Sequence, residues 1–389
     1  MDKTADIIVI GGGIIGTSIA YHLGEMGVKN VILLEKNLIG SGSTGKAAGL
    51  TIHQWNTELD VKLVMGSLEI YRKLNSQNNK ELFHQSGLVY LAMNDTEERY
   101  LRQSESLLKK YGVRTDWLEN KDMHKYLSWM STGDFKCGLY TSDDGYMDPY
   151  QVAYGFAQAA RKKGVRVNEM SEVTGIEMSR GGITAVKTTE GSISTRIVIN
   201  ASGCWAKKIG NMIGLKLPFK PYRTQIAILK PVEPLPERFA AVYDMHRNVY
   251  FHGETGGLLL AGDGTTEKEE NPDMFQQKVD SSFLEEIAQK VSDLIPHMSD
   301  AKVANSWAGL CTATPDRLPI IGPVPEVSGL ILANGSNGYG FMRAGMLGKL
   351  VAQIATGIKT SIDTKPMLIT RSALSGDVSE FKIKQGMTL

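Results

Sequence analysis

Ile7-Ile8-Val9-Ile10-Gly11-Gly12-Gly13-Ile14-Ile15-Gly16, with Glu35 closing the later run Val31-Ile32-Leu33-Leu34, is the stretch from which the fold follows. A short β-branched run ends in glycines, a helical pattern runs from Ile14 to Met26, and a second apolar run ends on an acid. Strand, glycine turn, helix and strand in that order open a doubly wound, Rossmann-type α/β fold with a parallel sheet. Gly11 permits the tight turn, Gly13 lets a pyrophosphate approach the backbone, and Gly16 lets the helix pack on the sheet. Ile14 and Ile15 begin the helix whose free N–H groups and dipole face the phosphates. Glu35, followed by Lys36, stands where a carboxylate accepts ribose hydroxyls, and an acid there argues against a 2′-phosphate.

The rest of the chain fits a globular protein. Its 389 residues allow two or three domain-sized units, and 42% hydrophobic content supplies a core. Lys+Arg at 43 against Asp+Glu at 42 leaves a charge of +1 and no long basic run, which speaks against a nucleic-acid or anionic-membrane surface. Cys137, Cys204 and Cys311 form no C-x-x-C pair and read as buried reduced thiols, with no metal site implied. No apolar run is long enough for a transmembrane helix, and the N-terminus runs into a strand without signal-peptide grammar, so a cytoplasmic location is expected.

Working outward, Asn56 to Leu74 and Tyr150 to Lys163 read as amphipathic helices, and Val165–Val167, Val173–Met178, Ile183–Lys187 and Ile193–Ile199 as strands. Gly87–Met93, Thr224–Leu229, Val249–His252 and Gly257–Ala261 have antiparallel character, with one helix expected from Asp273 to Leu294. Gly329–Ala333 then runs into Asn334-Gly335-Ser336-Asn337-Gly338-Tyr339-Gly340, and a helix from Met342 to Thr356 repeats the opening design. This predicts a discontinuous nucleotide-binding domain (1–82, 145–217 and 309–389) with an inserted antiparallel-sheet substrate domain (83–144 and 218–308).

The glycine motif does not separate FAD from NAD. Gly40-Ser41-Gly42-Ser43-Thr44 and Ala47-Ala48-Gly49-Leu50, directly after Glu35-Lys36, suit a loop lying along a long extended cofactor. Further motifs are Phe83-His84-Gln85 with Gly87, Asp144-Gly145 with Asp148-Pro149-Tyr150, and Asn200-Ala201-Ser202-Gly203 with Trp205-Ala206. Met212-Ile213-Gly214-Leu215, Thr314-Pro315-Asp316 with Pro319-Ile320-Ile321-Gly322, and Gly338-Tyr339-Gly340-Phe341 complete the set. With these residues the chain resembles the FAD-dependent amine oxidoreductases that include glycine oxidase, sarcosine oxidase and dimethylglycine dehydrogenase.

The resemblance implies that Ser43 to Leu50 contact the flavin and its ribityl chain and that Val173 holds the adenine side through its backbone. It also implies that Ala201-Ser202-Gly203, with Trp205 and Gly309, line the cofactor, and that Asn337 to Met342 direct N–H groups at the flavin's pyrimidine edge. Tyr250 takes the position of a substrate-covering tyrosine, or is a half-buried strand residue. His252, two residues on, stands where many relatives hold a carboxylate with Arg, and reads equally as a structural histidine. Lys46 is a cation beside the flavin or a solvated loop lysine; His53, Arg343 and Arg223 are weaker candidates with structural alternatives.

Four departures from the pattern stand out. Dimethylglycine dehydrogenases carry a flavin-linking His where this chain has Gly45-Lys46. Monomeric sarcosine oxidases link through a Cys that aligns with Gly309 rather than Cys311, and place an oxygen-activating Lys at what aligns with Leu259. The large dehydrogenases carry a folate-binding half that has no counterpart in these residues. Non-covalent FAD and a small amino-acid or amine substrate are therefore expected, with a dehydrogenase favoured over an oxidase. An electron-acceptor protein or partner subunit is a further expectation. Two other readings stay open: an FAD-dependent alcohol oxidoreductase, acting on glycerol 3-phosphate or a 2-hydroxy acid, and a flavin subunit active only in a hetero-oligomer.

Overall fold

The computed structural model describes residues 3–78, 82–263 and 268–374; the tail 375–389, assigned above to the first domain, lies outside the described residues. Ile7–Ile10 lies within a six-stranded sheet ordered Ile320–Pro323, Leu330–Asn334, Ile197–Asn200, Ile7–Ile10, Val31–Leu34, Arg166–Asn168. All neighbours are parallel except Ile320–Pro323 against Leu330–Asn334. Both faces are covered, which is why these strands are continuous Ile, Val and Leu instead of alternating. Ile7, Val9, Leu33 and Ile199 meet helices Ile14–Glu25, Pro149–Lys162 and Gly340–Thr356. Ile8, Ile10, Ile32 and Leu34 meet a small antiparallel sheet of Val173–Ser179, Gly182–Thr188 and Gly191–Ser194.

The single strand expected over Ile193–Ile199 is two strands in two sheets. Thr195 sits between Gly191–Ser194 and Ile197–Asn200, and its hydroxyl accepts from the Ile197 N–H at 3.3 Å. A side chain that satisfies the local backbone replaces a ladder bond, so the chain turns from the hairpin into the central sheet.

The second layer is an eight-stranded sheet ordered Lys302–Ala313, Lys220–Lys230, Leu258–Gly262, Val249–Glu254, Ala241–Asp244, Leu88–Ala92, Cys137–Thr141, Thr115–Glu119. It is antiparallel except where Ala241–Asp244 and Leu88–Ala92 run parallel, a mixed pairing that the sequence reading did not anticipate. Lys302–Ala313 stays in this sheet for twelve residues, so the expected boundary at 308/309 falls inside a strand.

The helix expected from Asp273 begins instead at Ser281 and ends at Leu294. The preceding segment finds its partners outside itself. Arg223 donates to the carbonyls of Gln276 and Lys278 and to the Asp280 carboxylate, and the Gln277 carbonyl accepts from the Ala308 N–H. Those carbonyls are thereby satisfied without an intrahelical ladder. Smaller shifts have equally local causes. Thr57 accepts from the Asp60 N–H, which starts that helix at Glu58, and the C-terminal helix starts at Gly340.

A third small sheet (Leu50–Thr51, Gly145–Met147, Phe83–His84) ties the loop after Thr44 to the two layers. Beside it, His53 and Asp144 are both buried, with Nδ1 and Oδ1 2.6 Å apart. Burial alone would lower the imidazole pKa, but the Asp144 charge and hydrogen bond outweigh it and raise the pKa above its ordinary value. His53 is thus a core partner of Asp144, its alternative structural role. Removing one member of a buried pair strands the other, so Asp144→Ala should cost about 3–5 kcal/mol in urea unfolding at pH 6. Because the folded His53 value lies above the unfolded one, the pair's contribution is complete below the ordinary imidazole pKa of about 6.5. It should then fade as pH rises through the raised value, so the gap between wild type and Asp144→Asn should narrow on the alkaline side.

Candidate functional site

A cavity of about 350 Å³ runs between the two large sheets. One end begins at the glycine turn. Gly11 has φ +109°, and a Cβ there would lie 2.5 Å from the Ala201 carbonyl oxygen. A Cβ on Gly16 would fall on the Gly11 carbonyl, so the helix reaches this depth only with glycine at that position. Thr44 Oγ1 accepts from the Ile14 N–H at 3.0 Å, tying the later loop to the helix start. No acid stands in that helix's first turn, which leaves its positive end open to an anion. Glu35 lines the cavity while its carboxylate accepts from Gly12 N–H at 2.6 Å and Asn37 N–H at 2.8 Å.

Every cofactor position named from the sequence lines this cavity except Gly16, which lies beneath it. Ser43 to Leu50 form one wall, Val173 and Ala201–Gly203 another, and Asn337–Met342 close the far end. Within that last segment, the N–H groups of Asn337 and Tyr339 go to the carbonyls of Thr312 and Ser336. The donors of the segment left for a ligand are therefore those of Gly338 and of the first turn from Gly340 onward. Two helix N-termini and walls of small residues fit an extended dinucleotide with phosphates at one end and an electron-rich ring at the other.

Strand alternation decides what the eight-stranded sheet presents to the cavity. Tyr222, Thr224 and Ile226 line it from Lys220–Lys230, whereas Arg223 points away to the segment before Ser281. Tyr250 lines it from Val249–Glu254, opposite Gly262, where a Cβ would overlap the phenol oxygen. Burial raises the phenol pKa of Tyr250, Tyr222 and Tyr339, so all three remain neutral hydroxyls at physiological pH. Tyr90 and Tyr243, with ring centroids 4.8 Å apart, and Arg317 complete this end. Arg317 donates to the Tyr339 hydroxyl at 3.4 Å.

Several expected residues lie elsewhere. His252 is buried outside the lining. Its Nδ1 and Nε2 face the carbonyls of Gly253 and Ala48 at 2.7 and 2.9 Å, and its ring stacks on Tyr146, so no N–H remains for a substrate carboxylate. Burial lowers its pKa, and its bond to Ala48 makes it a brace of the cofactor loop. Leu259 packs with Phe251 and Ile287 on the opposite face of the sheet, because odd and even residues of the strand alternate. Leu260, with Ile226 and Tyr250, is on the cavity side. Arg343 is buried against Trp55 and Tyr339 and paired with Asp60 at 2.8 Å. Lys46 does line the cavity, packing across Gly309 while its carbonyl accepts from Trp307. Cys204 and Cys311 also line it, and burial raises both thiol pKa values, to about 12 for Cys311.

Sequence comparison matches residues 6–354 to the family described as FAD dependent oxidoreductase. The chain belongs to that family. FAD is therefore the cofactor that this cavity accommodates. The chain is 31% identical over 372 residues to the mitochondrial dimethylglycine dehydrogenase of Rattus norvegicus, covering 90% of this chain and 42% of that one. It thus spans less than half the length of the curated dehydrogenases it matches. It is 26% identical to the glycine oxidase of Geobacillus kaustophilus, covering 95% and 98% of the two chains. Among solved structures, L-proline dehydrogenase from P. horikoshii superposes with a TM-score of 0.88 at 29% identity, covering 95% of this chain and 97% of that one. No helix among the described residues of this family member is long and apolar enough to cross a membrane.

The sequence reading missed Arg317, Tyr222, Tyr90 and Tyr243. For Tyr222 the signal lay just outside the strand expected over Thr224–Leu229, which in the structure begins at Lys220 and so puts Tyr222 and Thr224 on one face, alternating with Arg223. Arg317 was signalled only by the quoted turn at Thr314-Pro315-Asp316. It also missed a salt-bridged cover near the phosphate end. Asp273 accepts from Trp205 Nε1 at 2.6 Å and pairs with Lys208 at 3.2 Å, while Lys36 lies over the Trp205 ring.

Glu35→Ala should weaken FAD binding about ten- to hundred-fold, the equivalent of roughly 1.5–3 kcal/mol for a charged hydrogen-bond acceptor. Fluorescence titration of the apoprotein with FAD checks this, and unchanged affinity would limit Glu35 to ordering the Gly12 and Asn37 backbone. With Lys46 and Gly309 at the linking positions, trichloroacetic acid should leave the flavin in the supernatant.

Proposed function

We propose that this protein oxidises a small secondary or tertiary amino acid, such as sarcosine, dimethylglycine or proline, to its imine, working as a dehydrogenase. The observation that carries the reading is the tyrosine-walled chamber with Arg317 at the end of the FAD cavity where helix Gly340–Thr356 begins. Bound FAD supplies the acceptor for a hydride equivalent leaving the carbon beside the amine nitrogen. Neutral phenols give the chamber hydrogen-bond donors without negative charge, and their rings exclude water from the carbon that reacts.

Among the described residues the lining has no histidine; its carboxylates are Glu35 and Glu172 at the phosphate end and Asp263, buried near Tyr250 and paired with Lys290 at 3.8 Å. With Asp263 already paired, the substrate enters as the free amine, having left its proton in solvent. On this reading kcat/KM rises with pH towards the ammonium pKa of the substrate, and it does so with a different midpoint for substrates of different basicity. A midpoint common to all substrates would assign the step to an enzyme group.

The dehydrogenase assignment rests on the sheet face opposite the cofactor loop. Tyr222, Thr224, Ile226, Tyr250 and Leu260 face inward there and none is cationic; the cations near this end, Lys46 and Arg317, come from the cofactor loop and from the turn after Thr314. Oxygen reduction develops negative charge, and a fixed cation beside the reacting ring is the electrostatic device that speeds it. Anaerobic mixing with a panel of N-alkyl and cyclic amino acids should bleach the flavin, whereas glycerol 3-phosphate and 2-hydroxy acids should not. Mixing the reduced enzyme with aerated buffer in a stopped-flow cell should give reoxidation much slower than reduction, with an artificial dye restoring turnover. Reoxidation as fast as reduction would make the protein an oxidase.

A further inference from the structure

The cover at the phosphate end is the middle of a strap, residues 269–280, that is fixed to the eight-stranded sheet and lies across the cofactor walls. Both of its feet stand on strand Lys220–Lys230. At the first, the Glu270 N–H donates to the Pro221 carbonyl at 2.8 Å and Glu269 bridges to Tyr222. At the second, Arg223 donates to the Gln276 carbonyl at 2.9 Å and to Asp280 at 2.6 Å, and the Asp280 N–H donates to Gln225 Oε1 at 2.7 Å. Between the feet, Asn271 accepts from the Asp273 N–H through its side chain and from the Met274 N–H through its carbonyl, so residues 271–274 form a turn closed on itself.

A second cavity, of about 230 Å³, lies under this turn. Its outer wall is Pro272, Asp273, Phe275 and Gln277. Every other described residue of its lining, from Lys36 through Gly42 and Ser43 to Lys46 and Gly309, also lines the FAD cavity. The strap is therefore the outer cover of the long side of the cofactor site, and Met274 on it is 82% exposed. The remaining walls are strands and helix starts, which part only if a close-packed core does. Among the described residues, every hydrogen bond and ion pair from 271–275 to the opposite layer is made by the Asp273 carboxylate. It meets Trp205 Nε1 at 2.6 Å, Lys208 at 3.2 Å and Lys36 at 3.6 Å, and Trp205 itself rests against Gly42 of the cofactor loop. The Trp205 N–H, with the two lysines, holds the Asp273 carboxyl below its ordinary range, so it is charged at neutral pH.

We infer that the turn 271–275 is the gate through which FAD enters and leaves, with Asp273 as its latch. The inference rests on FAD as the cofactor and not on which amine is oxidised. The feet hold through Arg223, whose side chain is largely buried, whereas the latch is a partly exposed carboxylate among partly exposed lysines. Such exposed pairs are weak and are screened by salt, so the centre lifts while the feet stay on the sheet. The latch bonds join protein to protein, and the closed turn therefore opposes entry as much as exit.

That symmetry separates a gate from a residue that only adds affinity, and stopped-flow flavin fluorescence on the full chain reads it. Association is followed on mixing the apoprotein with FAD, and dissociation on diluting the holoprotein. Asp273→Asn should raise both rate constants on the order of ten-fold, the loss of charged hydrogen bonds at a partly exposed site, with Kd moved by less than about three-fold. Its Tm should stay at the wild-type value, because both feet remain. Between about 0.01 and 1 M KCl, where the Debye length falls from about 30 to about 3 Å, both wild-type rates should climb towards those of the variant. Faster dissociation with unchanged association would make Asp273 an ordinary contributor to affinity and overturn the gate. Two unchanged rate constants would overturn the latch, as would a gap between wild type and Asp273→Asn that salt does not narrow. Arg223→Met frees the second foot from outside the cavity and should also speed both steps; slower entry in that variant would show that FAD uses another route.

Discussion

The structure depends on how closely the first helix approaches the ends of the parallel strands. At Gly16 the helix backbone lies so near the Gly11 carbonyl that no side-chain carbon fits between them. That contact fixes the helix start at Ile14, from which Thr44 is recruited across thirty positions to accept the Ile14 N–H. Glu35 is likewise drawn to the Gly12 N–H. The cofactor loop therefore takes its place from the glycine turn, not from packing of its own. His252 and Trp307 then hold the carbonyls of Ala48 and Lys46, so the eight-stranded sheet is registered on the same loop. One steric condition at the first turn is passed, bond by bond, to the wall of the substrate chamber.

Beyond that point, the division of labour follows the two-residue period of strands. Lys220–Lys230 places Tyr222 and Thr224 in the chamber and gives Arg223 to the segment ahead of Ser281. Val249–Glu254 sends Tyr250 inward and Phe251 into the outer core under Ser281–Leu294. Each strand contributes chemistry on one face and stability on the other, which ties substitutions at adjacent positions to different outcomes. A change at Phe251 removes packing from a buried cluster. A change at Tyr250 removes a hydroxyl from a chamber whose core is untouched.

Much of this was legible in the sequence. The glycine spacing, the acid after the second strand and the small-residue loop are local signals, and the structure brings them together around one cavity. What failed depended on partners distant in the chain. His252 shares a strand face with Tyr250, yet Tyr146 and the Ala48 carbonyl enclose it, and nothing near residue 252 announces either. Leu259 was assigned by alignment, and an offset of one residue in a strand sends a side chain to the opposite face. The helix expected from Asp273 has adequate local pattern, but Arg223 captures its carbonyls from another strand. Arg317 was missed because left-handed backbone at a non-glycine residue leaves no mark in composition.

The electrostatics of the cavity give these positions a common sense. Its phosphate end carries Lys36 and Lys208 balanced by Asp273, Glu172 and Glu35, so charge there is largely paired before a cofactor arrives. Its chamber end is different: the phenols of Tyr222, Tyr250 and Tyr339 are kept neutral by burial, and the buried Asp263 beside Tyr250 is paired with Lys290. Charge at both ends is thus largely matched within the wall, and what the chamber offers beyond that is a set of neutral hydroxyls on rigid rings. Such groups can orient a small polar molecule by hydrogen bonds while their rings keep water from it, which is the combination that the amine oxidation proposed above requires.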